Sequence, residues 1–438
     1  MVNLKTLAKK YLSLPYLIEK WKHEGFQRYF RNTGWMFFGR VSIMGITFLV
    51  NIYVARYLGP SEYGLLNYVI SFVGLFSLIS VLGVDPILLR ELSHSPEKKH
   101  SLMGTAFILK IAGSLLAILL IVFAVFIGRF GSYEKALIIM YSISFIFSTF
   151  SVIDTFFQSS VLARKTVFIQ ILTTTLTTIF KLFLIKSNLG TGWFVLVYVI
   201  DSILLALSSI YIYVKSKEKI TSWNYDKDIA KKLLSSSWPI VLAGFASFVY
   251  IKIDQIMIRF MLNNYELGVY AAATKLSEVW YFIPGMICSS IFPAIINAKK
   301  TNIHMYLKRL KTLYIFLIVI SSVIALPVSL LSKFIISTIY GNDFMGATTS
   351  LSIYIWAGIP VFLFVGLTQY LIAENKTMKM LAVTSVGAIA NIVLNIFMIP
   401  SLGISGAALA SLISYSVVPL MLLAWKDTRP QITSLFKI

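Results

Sequence analysis

The sequence predicts an all-α polytopic membrane protein with twelve transmembrane helices, arranged as two six-helix bundles that are related by a parallel pseudo-two-fold repeat. Apolar residues make up 58% of the 438 residues, charged residues make up 13%, and the mean hydropathy is +0.81. A soluble domain carries about 25% charged residues, so a soluble fold of this length could not bury so much apolar surface. The spacing of the apolar runs and an internal repeat are the other two observations behind the prediction.

The apolar runs have the length that crosses a bilayer. A spanning helix needs about 20 predominantly apolar residues, and short polar turns separate the runs. Twelve runs meet this requirement: 33–57, 63–84, 102–127, 136–160, 166–186, 192–214, 237–260, 269–297, 311–332, 348–372, 378–399 and 404–425.

Loop charge predicts the orientation of these spans. With the N-terminus in the cytoplasm, the segments on the cytoplasmic side carry 26 Lys and Arg, whereas the external loops carry 3. Basic residues accumulate in cytoplasmic loops, so both termini are expected in the cytoplasm and the protein is expected in the cell membrane.

A motif that occurs twice organises the chain. Ala55 to Gly64 reads Ala-Arg-Tyr-Leu-Gly-Pro-Ser-Glu-Tyr-Gly, and a degraded copy runs from Ile258 to Gly268. In both copies an apolar run ends in Arg and an aromatic residue. A polar turn follows, and after it come a Glu and a Gly that are separated by one residue. Two further segments repeat at similar offsets: 158–166 resembles 369–377, and 189–192 resembles 402–406. Because each lobe has an even number of spans, both copies start on the same side, and transporters built this way hold substrate at the lobe interface.

The repeat and the loop charges predict the domain organisation. The longest cytoplasmic loop carries six Lys and separates six spans from six. The expected parts are a basic amphipathic segment over 1–32, an N-terminal lobe over 33–214, a cytoplasmic linker over 215–236, a C-terminal lobe over 237–425 and a cytoplasmic tail over 426–438.

The basic residues indicate a membrane surface and no nucleic-acid partner. The net charge is +21, but the cations are scattered among apolar spans and form no dense basic domain. Residues 1–32 alternate Lys and Arg with aromatic and aliphatic residues, which suits either a helix lying on anionic lipid or a basic tail. Cys288 is the single cysteine and the four His have no metal-ligand spacing, so no disulfide, metal site or cofactor is expected.

Ionisable residues inside the spans are candidates for function because burying a charge in lipid costs several kcal/mol. Arg56, Lys186 and Arg259 lie at outer helix ends, where they are expected to extend to the membrane surface. Basic residues outnumber acidic ones among the remainder, which favours an anionic substrate. The remainder comprises Arg40, Lys110, Lys181, Lys252, Lys275, Asp154, Asp201, Asp254 and Glu278.

Polar stripes on three predicted helices add amide side chains to these candidates. Arg40, Thr47 and Asn51 share a face of the first span, and Asn391 and Asn395 share a face of the eleventh. A further stripe on the fifth span runs from Gln170 to Lys181. Such stripes must face water or protein, so each lines either a wet cavity or a buried hydrogen-bonded seam. The predicted substrate-binding residues are Arg40, Lys110, Lys181, Lys252, Lys275, Asn51, Asn391 and Asn395.

The four acids are candidates for binding a coupling ion, either H⁺ or Na⁺. Asp154 and Asp201 have no nearby cation in the sequence, so each is either paired across helices or protonated. Lys252 and Asp254 are two residues apart and point to nearly opposite faces. Glu278 lies three residues after Lys275 and either neutralises it or faces the cavity beside it.

The motif from Ala55 to Gly64 resembles the Arg-x-Leu-Gly-Pro-x-x-(Phe/Tyr)-Gly signature of polysaccharide transporters. These are the O-antigen-type flippases of the multidrug/oligosaccharidyl-lipid/polysaccharide exporter superfamily. The segments 253–255 with 268–273, and 395–400 with 403–407, are similar to further motifs of that family.

This resemblance implies a V-shaped pair of six-helix bundles around a cationic cavity. It also implies that an isoprenoid-pyrophosphate-linked oligosaccharide moves from the cytoplasmic to the outer leaflet. Related lipid II flippases use basic residues in the first and eighth spans, which correspond by position to Arg40 and Lys275. The expected partners are this lipid-linked glycan, anionic membrane lipids and H⁺ or Na⁺, and the expected state is a monomer.

Two alternatives stay open at this point. A multidrug/cation antiporter of the same superfamily requires a predominantly acidic cavity. A membrane glycosyltransferase or ligase requires catalytic carboxylates outside the membrane, yet the longest external loop, 333–347, contains only Asp343 as an acid. No catalytic residue is therefore predicted, and the protein is not expected to be an enzyme.

Overall fold

The computed structural model describes residues 24–374 and 376–436. Every regular element in these residues is a helix. The N-terminal lobe contains α1 (Glu24–Gly74), α2 (Ser77–Val81), α3 (Val84–His94), α4 (Lys99–Ile127), α5 (Ser132–Ser142), α6 (Ser144–Ser148), α7 (Val152–Ser159), α8 (Ala163–Lys186) and α9 (Thr191–Lys215). The C-terminal lobe contains α10 (Lys227–Met261), α11 (Asn264–Glu278), α12 (Phe282–Thr301), α13 (Ile303–Leu330), α14 (Ser332–Ile339), α15 (Ala347–Tyr354), α16 (Gly358–Ala373), α17 (Thr377–Met421) and α18 (Arg429–Phe436).

These helices match the twelve predicted spans. In the described residues, nine helical stretches are long and apolar enough to cross a membrane. Two of them, α1 and α17, each hold two crossings, and α11 with α12 forms a further crossing that a turn of 3-10 helix interrupts at Val279–Tyr281. Much of the predicted amphipathic segment, residues 1–23, lies outside the described residues, and Glu24–Asn32 form the first part of α1.

Glycines in left-handed conformations break the two doubled helices where the sequence motifs predict turns. Gly59 has φ 68° and ψ 172° within α1, and Gly403 has φ 61° and ψ −143° within α17. A residue with a Cβ atom is strained at such angles, whereas glycine is not. Pro60 follows the first break and removes a backbone donor there, so the chain reverses direction at this point.

The second span ends in a bend that the sequence did not predict. Leu82 and Gly83 both have positive φ between α2 and α3. The chain then re-enters a helix with Asp85 in its first turn. This bend turns Asp85 from the predicted loop toward the interior of the N-terminal lobe.

The two copies of the repeated motif meet between the lobes. A Cβ atom on Gly64 would lie 1.8 Å from the carbonyl oxygen of Asn264, and a Cβ atom on Gly268 would lie 1.8 Å from the carbonyl oxygen of Pro60. Both positions therefore require glycine, because any side chain would separate the two backbones. The contact is reciprocal, as in an isologous two-fold interface. We call this end of the lobe interface the motif end.

Candidate functional site

A cavity of about 600 Å³ lies between the two lobes. One face of α1, the facing sides of α7 and α8, and the end of α11 form its walls. The polar lining residues are Arg40, Thr47, Asn51, Asp154, Gln158, Thr166, Gln170, Lys275 and Glu278, and most of the remaining lining is apolar. A concave, mostly apolar cleft in which a few polar groups converge is the usual form of a ligand site.

The predicted polar stripe on α1 faces this cavity. Arg40, Thr47 and Asn51 are spaced by seven and four residues, which returns each side chain to the same helix face. The lined part of α1 extends from Met36 to Asn51, which corresponds to roughly 22 Å at 1.5 Å per residue. For α1, the wet-cavity interpretation of the stripe therefore agrees with the structure.

The stripe on α17 lies in a buried hydrogen-bonded seam instead. Asn391 donates to the Ser414 hydroxyl at 3.0 Å, and Asn395 donates to the Asn391 side-chain oxygen at 2.9 Å. Both amides are almost fully buried inside the C-terminal lobe. The structure thus places Asn391 and Asn395 away from the cavity, in the second arrangement that the sequence left open.

Two of the predicted cations line the cavity without an acidic partner. Arg40 is exposed on α1, and Lys275 approaches from α11 in the opposite lobe. The ammonium of Lys275 lies 4.9 Å from the ring centroid of Tyr63. Neither cation forms a salt bridge with any residue that the structure describes. Both charges therefore remain available to a ligand.

Two other predicted cations are paired and do not line the cavity. Lys110 is fully buried and donates to Asp85 and to Ser151. Lys252 forms a salt bridge with Glu278 at 2.8 Å. The sequence spacing allowed Glu278 to neutralise Lys275. In the structure the carboxylate of Glu278 pairs with Lys252 instead, because α10 brings Lys252 closer to it.

Lys181 lies beyond the cavity, beside an aromatic cluster. Its ammonium is 4.3 Å from the ring centroid of Tyr198, and Lys275 is close enough to interact electrostatically with the same tyrosine. Lys275 also interacts with Lys181 and Lys252. Lysines from α8, α10 and α11 thus converge on one region between the lobes, although the salt bridge to Glu278 holds Lys252.

The four predicted acids have different environments. Asp201 accepts a hydrogen bond from Thr177 at 3.2 Å. Asp254 is buried and accepts from the backbone nitrogen of Gln255, from Tyr270 and from Ser411. Asp154 lines the cavity, and one of its two carboxylate oxygens is buried without a hydrogen-bond partner.

The comparisons with known proteins bear on this cavity. Residues 29–299 match the family described as Polysaccharide biosynthesis protein. The chain belongs to this family. Its relatives include two proteins of Haloferax volcanii: a probable low-salt glycan biosynthesis flippase, Agl15, is 23% identical over 43% of this chain and 40% of its own length. The probable flippase AglR is 26% identical over 38% of this chain and 36% of its own length. The chain therefore matches well under half the length of these curated relatives.

Solved structures resemble this member of the polysaccharide biosynthesis family over nearly its whole length. The lipid II flippase MurJ in an inward closed conformation has a TM-score of 0.71 at 18% identity and covers 93% of this chain and 92% of its own. An inward-facing multidrug resistance MATE family transporter of the MOP superfamily has a TM-score of 0.64 at 14% identity and covers 89% of this chain and 94% of its own. These likenesses show the fold, and they confirm the predicted all-α, two-bundle membrane architecture.

Two arginines of the repeated motif bind across the lobes at the motif end. Arg56 of the N-terminal lobe donates to the carbonyl oxygen of Thr338 at 2.5 Å, and Arg259 of the C-terminal lobe forms a salt bridge with Glu134. The sequence predicted that both side chains extend to the membrane surface. In the described structure Arg56 remains exposed, and each arginine also has an acceptor in the opposite lobe. Their recurrence at equivalent positions of the two repeats is the signal that could have identified this role.

Ion pairs also connect residues that lie outside the membrane spans. Lys232 bonds to Glu91 across the lobes at 2.5 Å. This hydrogen bond, with a further one from Arg90, holds the pKa of the Glu91 carboxyl below its ordinary value. Hydrogen bonds from Lys379 and Lys376 lower the pKa of Asp427 to about 2. These carboxylates therefore stay charged at neutral pH.

Proposed function

We propose that this protein is a flippase that moves a polyprenyl-pyrophosphate-linked oligosaccharide from the cytoplasmic to the outer leaflet by alternating access. The observation that carries the proposal is the pair of unpaired cations, Arg40 and Lys275, which face one cavity from opposite lobes. A pyrophosphate headgroup cannot cross about 30 Å of hydrocarbon without solvation. The cavity supplies charge for the headgroup while the polyprenyl tail stays in lipid.

The balance of charges in the cavity favours an anion over a cation. Glu278 is neutralised by Lys252, so the lining keeps two free positive charges, on Arg40 and Lys275, and one negative charge, on Asp154. A cation antiporter would be expected to show the reverse. The guanidinium of Arg40 is also able to bind a phosphate through two hydrogen bonds, which a lysine does not offer.

The closed motif end supports an order of events. The lobes are joined there by the glycine contact and by both motif arginines. A headgroup that enters from the cytoplasmic leaflet meets Arg40 first and Lys275 nearer the motif end. Opening of the motif end then releases the glycan to the outer side, and the Lys181 region lies on that exit route.

The experiment that tests this function combines complementation with binding. Arg40→Ala together with Lys275→Ala is expressed in a strain that lacks its glycan flippase, and surface glycan is measured alongside membrane expression. Binding of a short-chain polyprenyl pyrophosphate to the purified protein is measured in parallel. Lys186→Ala serves as the matched control, because Lys186 is an exposed basic residue on α8 outside the cavity lining.

We expect the double variant to lose both surface glycan and pyrophosphate binding, and Lys186→Ala to keep both. Full complementation by the double variant would refute the assignment of the headgroup to these two cations. Arg40→Lys is expected to lose a large part of the activity although its charge is kept, because the two-bond phosphate contact is lost.

A further inference from the structure

A pocket lies at the motif end of the C-terminal lobe, separate from the main cavity. Its volume is about 350 Å³, which falls within the range of roughly 300–1,000 Å³ that is usual for small-molecule sites. Residues from the segments 262–269 and 402–404 form most of its walls, and several of them are exposed, so the pocket opens to the surface. Its lining shares no residue with that of the main cavity. Binding of the pyrophosphate headgroup therefore does not use this pocket.

The internal repeat gives the pocket a counterpart in the N-terminal lobe. Glu266, in the pocket wall, corresponds to Glu62 in the first copy of the motif. The opposite wall belongs to the segment 402–406, which corresponds to 189–192. Comparison of the two lobes therefore shows what the C-terminal copy lacks.

Two hydroxyl groups join the equivalent segments in the N-terminal lobe. The carboxylate of Glu62 accepts a hydrogen bond from the hydroxyl of Thr191. The hydroxyl of Tyr57 donates to the carbonyl oxygen of Leu189 at 3.1 Å. Both contacts have the same chemistry, since in each a hydroxyl donates to an oxygen of the other segment.

The C-terminal lobe lacks both of these hydroxyl groups. Ile404 stands at the position of Thr191. Phe260 stands at the position of Tyr57. Neither replacement has a side-chain donor. Glu266 is only partly exposed, yet its carboxylate has no hydrogen-bond or salt-bridge partner among the residues that the structure describes. The pocket thus contains a carboxylate that has lost the hydroxyl donor of its counterpart.

The charges of the pocket exclude an anion and disfavour a metal ion. Glu266 is the one acid among the lining residues, and none of them is a cation. A phosphate or carboxylate would therefore be repelled. In the part of the chain that the structure describes, no three His, Cys, Asp or Glu residues lie close enough to hold a metal together. An uncharged ligand that carries hydroxyl groups fits these conditions.

Two neighbours of Glu266 add the other features of such a site. The side-chain oxygen of Asn263 accepts from the backbone nitrogen of Glu266 at 2.9 Å, so its amide nitrogen can donate to a ligand. The ring of Tyr265 is 46% exposed, and its hydroxyl is held by the carbonyl oxygen of Asp343 at 3.3 Å. The pocket therefore combines a charged acceptor, a neutral donor and a fixed apolar ring face.

We propose that this pocket binds an uncharged sugar unit. A sugar hydroxyl donates to Glu266, in the place that the hydroxyl of Thr191 takes in the other lobe, and hydrogen bonds to an ionised acceptor are the stronger ones. The C–H face of the sugar packs on Tyr265 and the aliphatic lining. That the sugar belongs to the transported glycan rests on the proposed function. On the predicted topology the motif end faces outward, so the pocket holds the glycan as it emerges from between the lobes.

The pocket is tested by the binding of methyl glycosides to the full-length protein. Lipid nanodiscs are used because a detergent with a sugar headgroup would compete. Saturation-transfer NMR screens the methyl glycosides of glucose, galactose, mannose and N-acetylglucosamine, and titration gives the affinity. We expect saturable binding to the wild type and an affinity about ten-fold or more lower in Glu266→Gln, because the acceptor loses its charge. Glu62→Gln changes the equivalent glutamate of the other lobe and should bind as the wild type does.

A pair of substitutions at Ile404 tests the comparison of the two lobes. Ile404→Thr restores the hydroxyl that the N-terminal lobe has, so Glu266 gains an internal donor that a sugar must displace. Ile404→Val has nearly the shape of threonine without the hydroxyl, and it therefore controls for the loss of volume. We expect glycoside affinity in Ile404→Thr to be about three-fold or more below that in Ile404→Val.

Monodisperse elution is required of every variant, and the Ile404 pair decides the matter if Glu266→Gln does not fold. Absence of glycoside binding to the wild type would overturn the pocket. Equal affinities in the wild type and Glu266→Gln, or in Ile404→Thr and Ile404→Val, would overturn it as well. An equal loss of affinity in Glu62→Gln would do the same, because the effect would not be local to the pocket.

The role in transport is tested separately, with the same pair of Ile404 variants in a strain that lacks its glycan flippase. We expect surface glycan to appear more slowly with Ile404→Thr than with Ile404→Val, while both bind a short-chain polyprenyl pyrophosphate equally. A wild type that complements and binds the pyrophosphate but binds no glycoside would overturn the pocket alone. A wild type that binds a glycoside but neither complements nor binds the pyrophosphate would keep the pocket and refute the proposed function.

Discussion

The cavity wall and the interior of the C-terminal lobe each contain an aspartate, but the two carboxylates differ in how completely they are hydrogen-bonded. Asp254 is buried among α10, α11 and α17, and both of its carboxylate oxygens have hydrogen-bond donors. Asp154 lies in the cavity wall with one oxygen unbonded. An ionisable residue inside a membrane is a candidate for function by default, but this comparison shows that its partners decide the matter. A satisfied charge holds helices together, and an unsatisfied one is available to a ligand.

The same distinction separates the cations. Lys110 and Lys252 have carboxylate partners, whereas Arg40 and Lys275 face the cavity without one. In the sequence all four cations lie inside predicted spans, so the expected cost of burying a charge is similar for each and does not tell them apart. The predictions below test whether pairing divides structural charges from functional ones.

The largest expected effect is on stability, in Lys110→Met. This change leaves Asp85 without its partner; because 38% of the Asp85 side chain is exposed, we expect the cost to be below the about 3–5 kcal/mol of a fully buried ion pair. We expect a clear drop in the melting temperature of the purified protein in detergent. Lys110→Met combined with Asp85→Leu should recover most of it, because neither charge is then left alone. A variant that melts like the wild type but transports no glycan would show that Lys110 serves the substrate.

The next effect compares the two aspartates directly. Asp254→Leu removes the acceptor of three hydrogen bonds and leaves Tyr270 and Ser411 without their acceptor. A buried unsatisfied group costs about 1–3 kcal/mol. Asp154→Leu should cost less, because one oxygen of Asp154 has no bond to lose. Thermal unfolding of both variants in the same buffer measures the difference. Equal destabilisation by the two substitutions would break the comparison.

A smaller effect is expected at the motif end, where pairing acts between lobes. Arg259→Ala removes the partly exposed salt bridge to Glu134, which we expect to contribute about 1 kcal/mol and to shift lobe opening by about five-fold. The reporter is a cysteine at Ala271, which is fully buried one turn beyond Gly268, in a Cys288→Ala background. Maleimide labelling at position 271 should become faster in Arg259→Ala.

The charge swap Arg259→Glu with Glu134→Arg provides the control for that experiment. It restores the salt bridge in reverse, so labelling should return toward the wild-type rate. Unchanged labelling in Arg259→Ala would indicate that the glycine contact alone keeps the motif end closed.

The smallest effect concerns Glu91 and Lys232, which join the lobes at the other end of the interface. The pKa of Glu91 is lowered in the folded protein, so its contribution to stability is present above the ordinary glutamate pKa and is lost as pH falls through the folded value. Glu91→Gln should therefore lower the melting temperature slightly at pH 7, by a few tenths of a kcal/mol for so exposed a partner. The difference from the wild type should shrink at about pH 4 and below. A difference that grows on acidification would contradict this assignment.

The sequence by itself determined the membrane fold and one wall of the cavity. The apolar runs set the crossings, because lipid forces each run of sufficient length to form a helix that satisfies its own backbone. The helical period placed Arg40, Thr47 and Asn51 on one face of α1. Both inferences depend only on local geometry, which a sequence carries directly.

The tertiary structure alone decided which charges are free. Asp85 reaches Lys110 only because the chain bends at Leu82 and Gly83. Glu278 forms its salt bridge with Lys252 and not with the nearby Lys275, because α10 packs against α11. The motif arginines have bonding partners only where the two lobes meet. A salt bridge depends on distances of a few ångströms between separate helices, and no periodicity or loop charge specifies those distances. The sequence therefore supplied the candidates, and the packing of the two lobes left Arg40, Lys275 and Asp154 unpaired in the cavity.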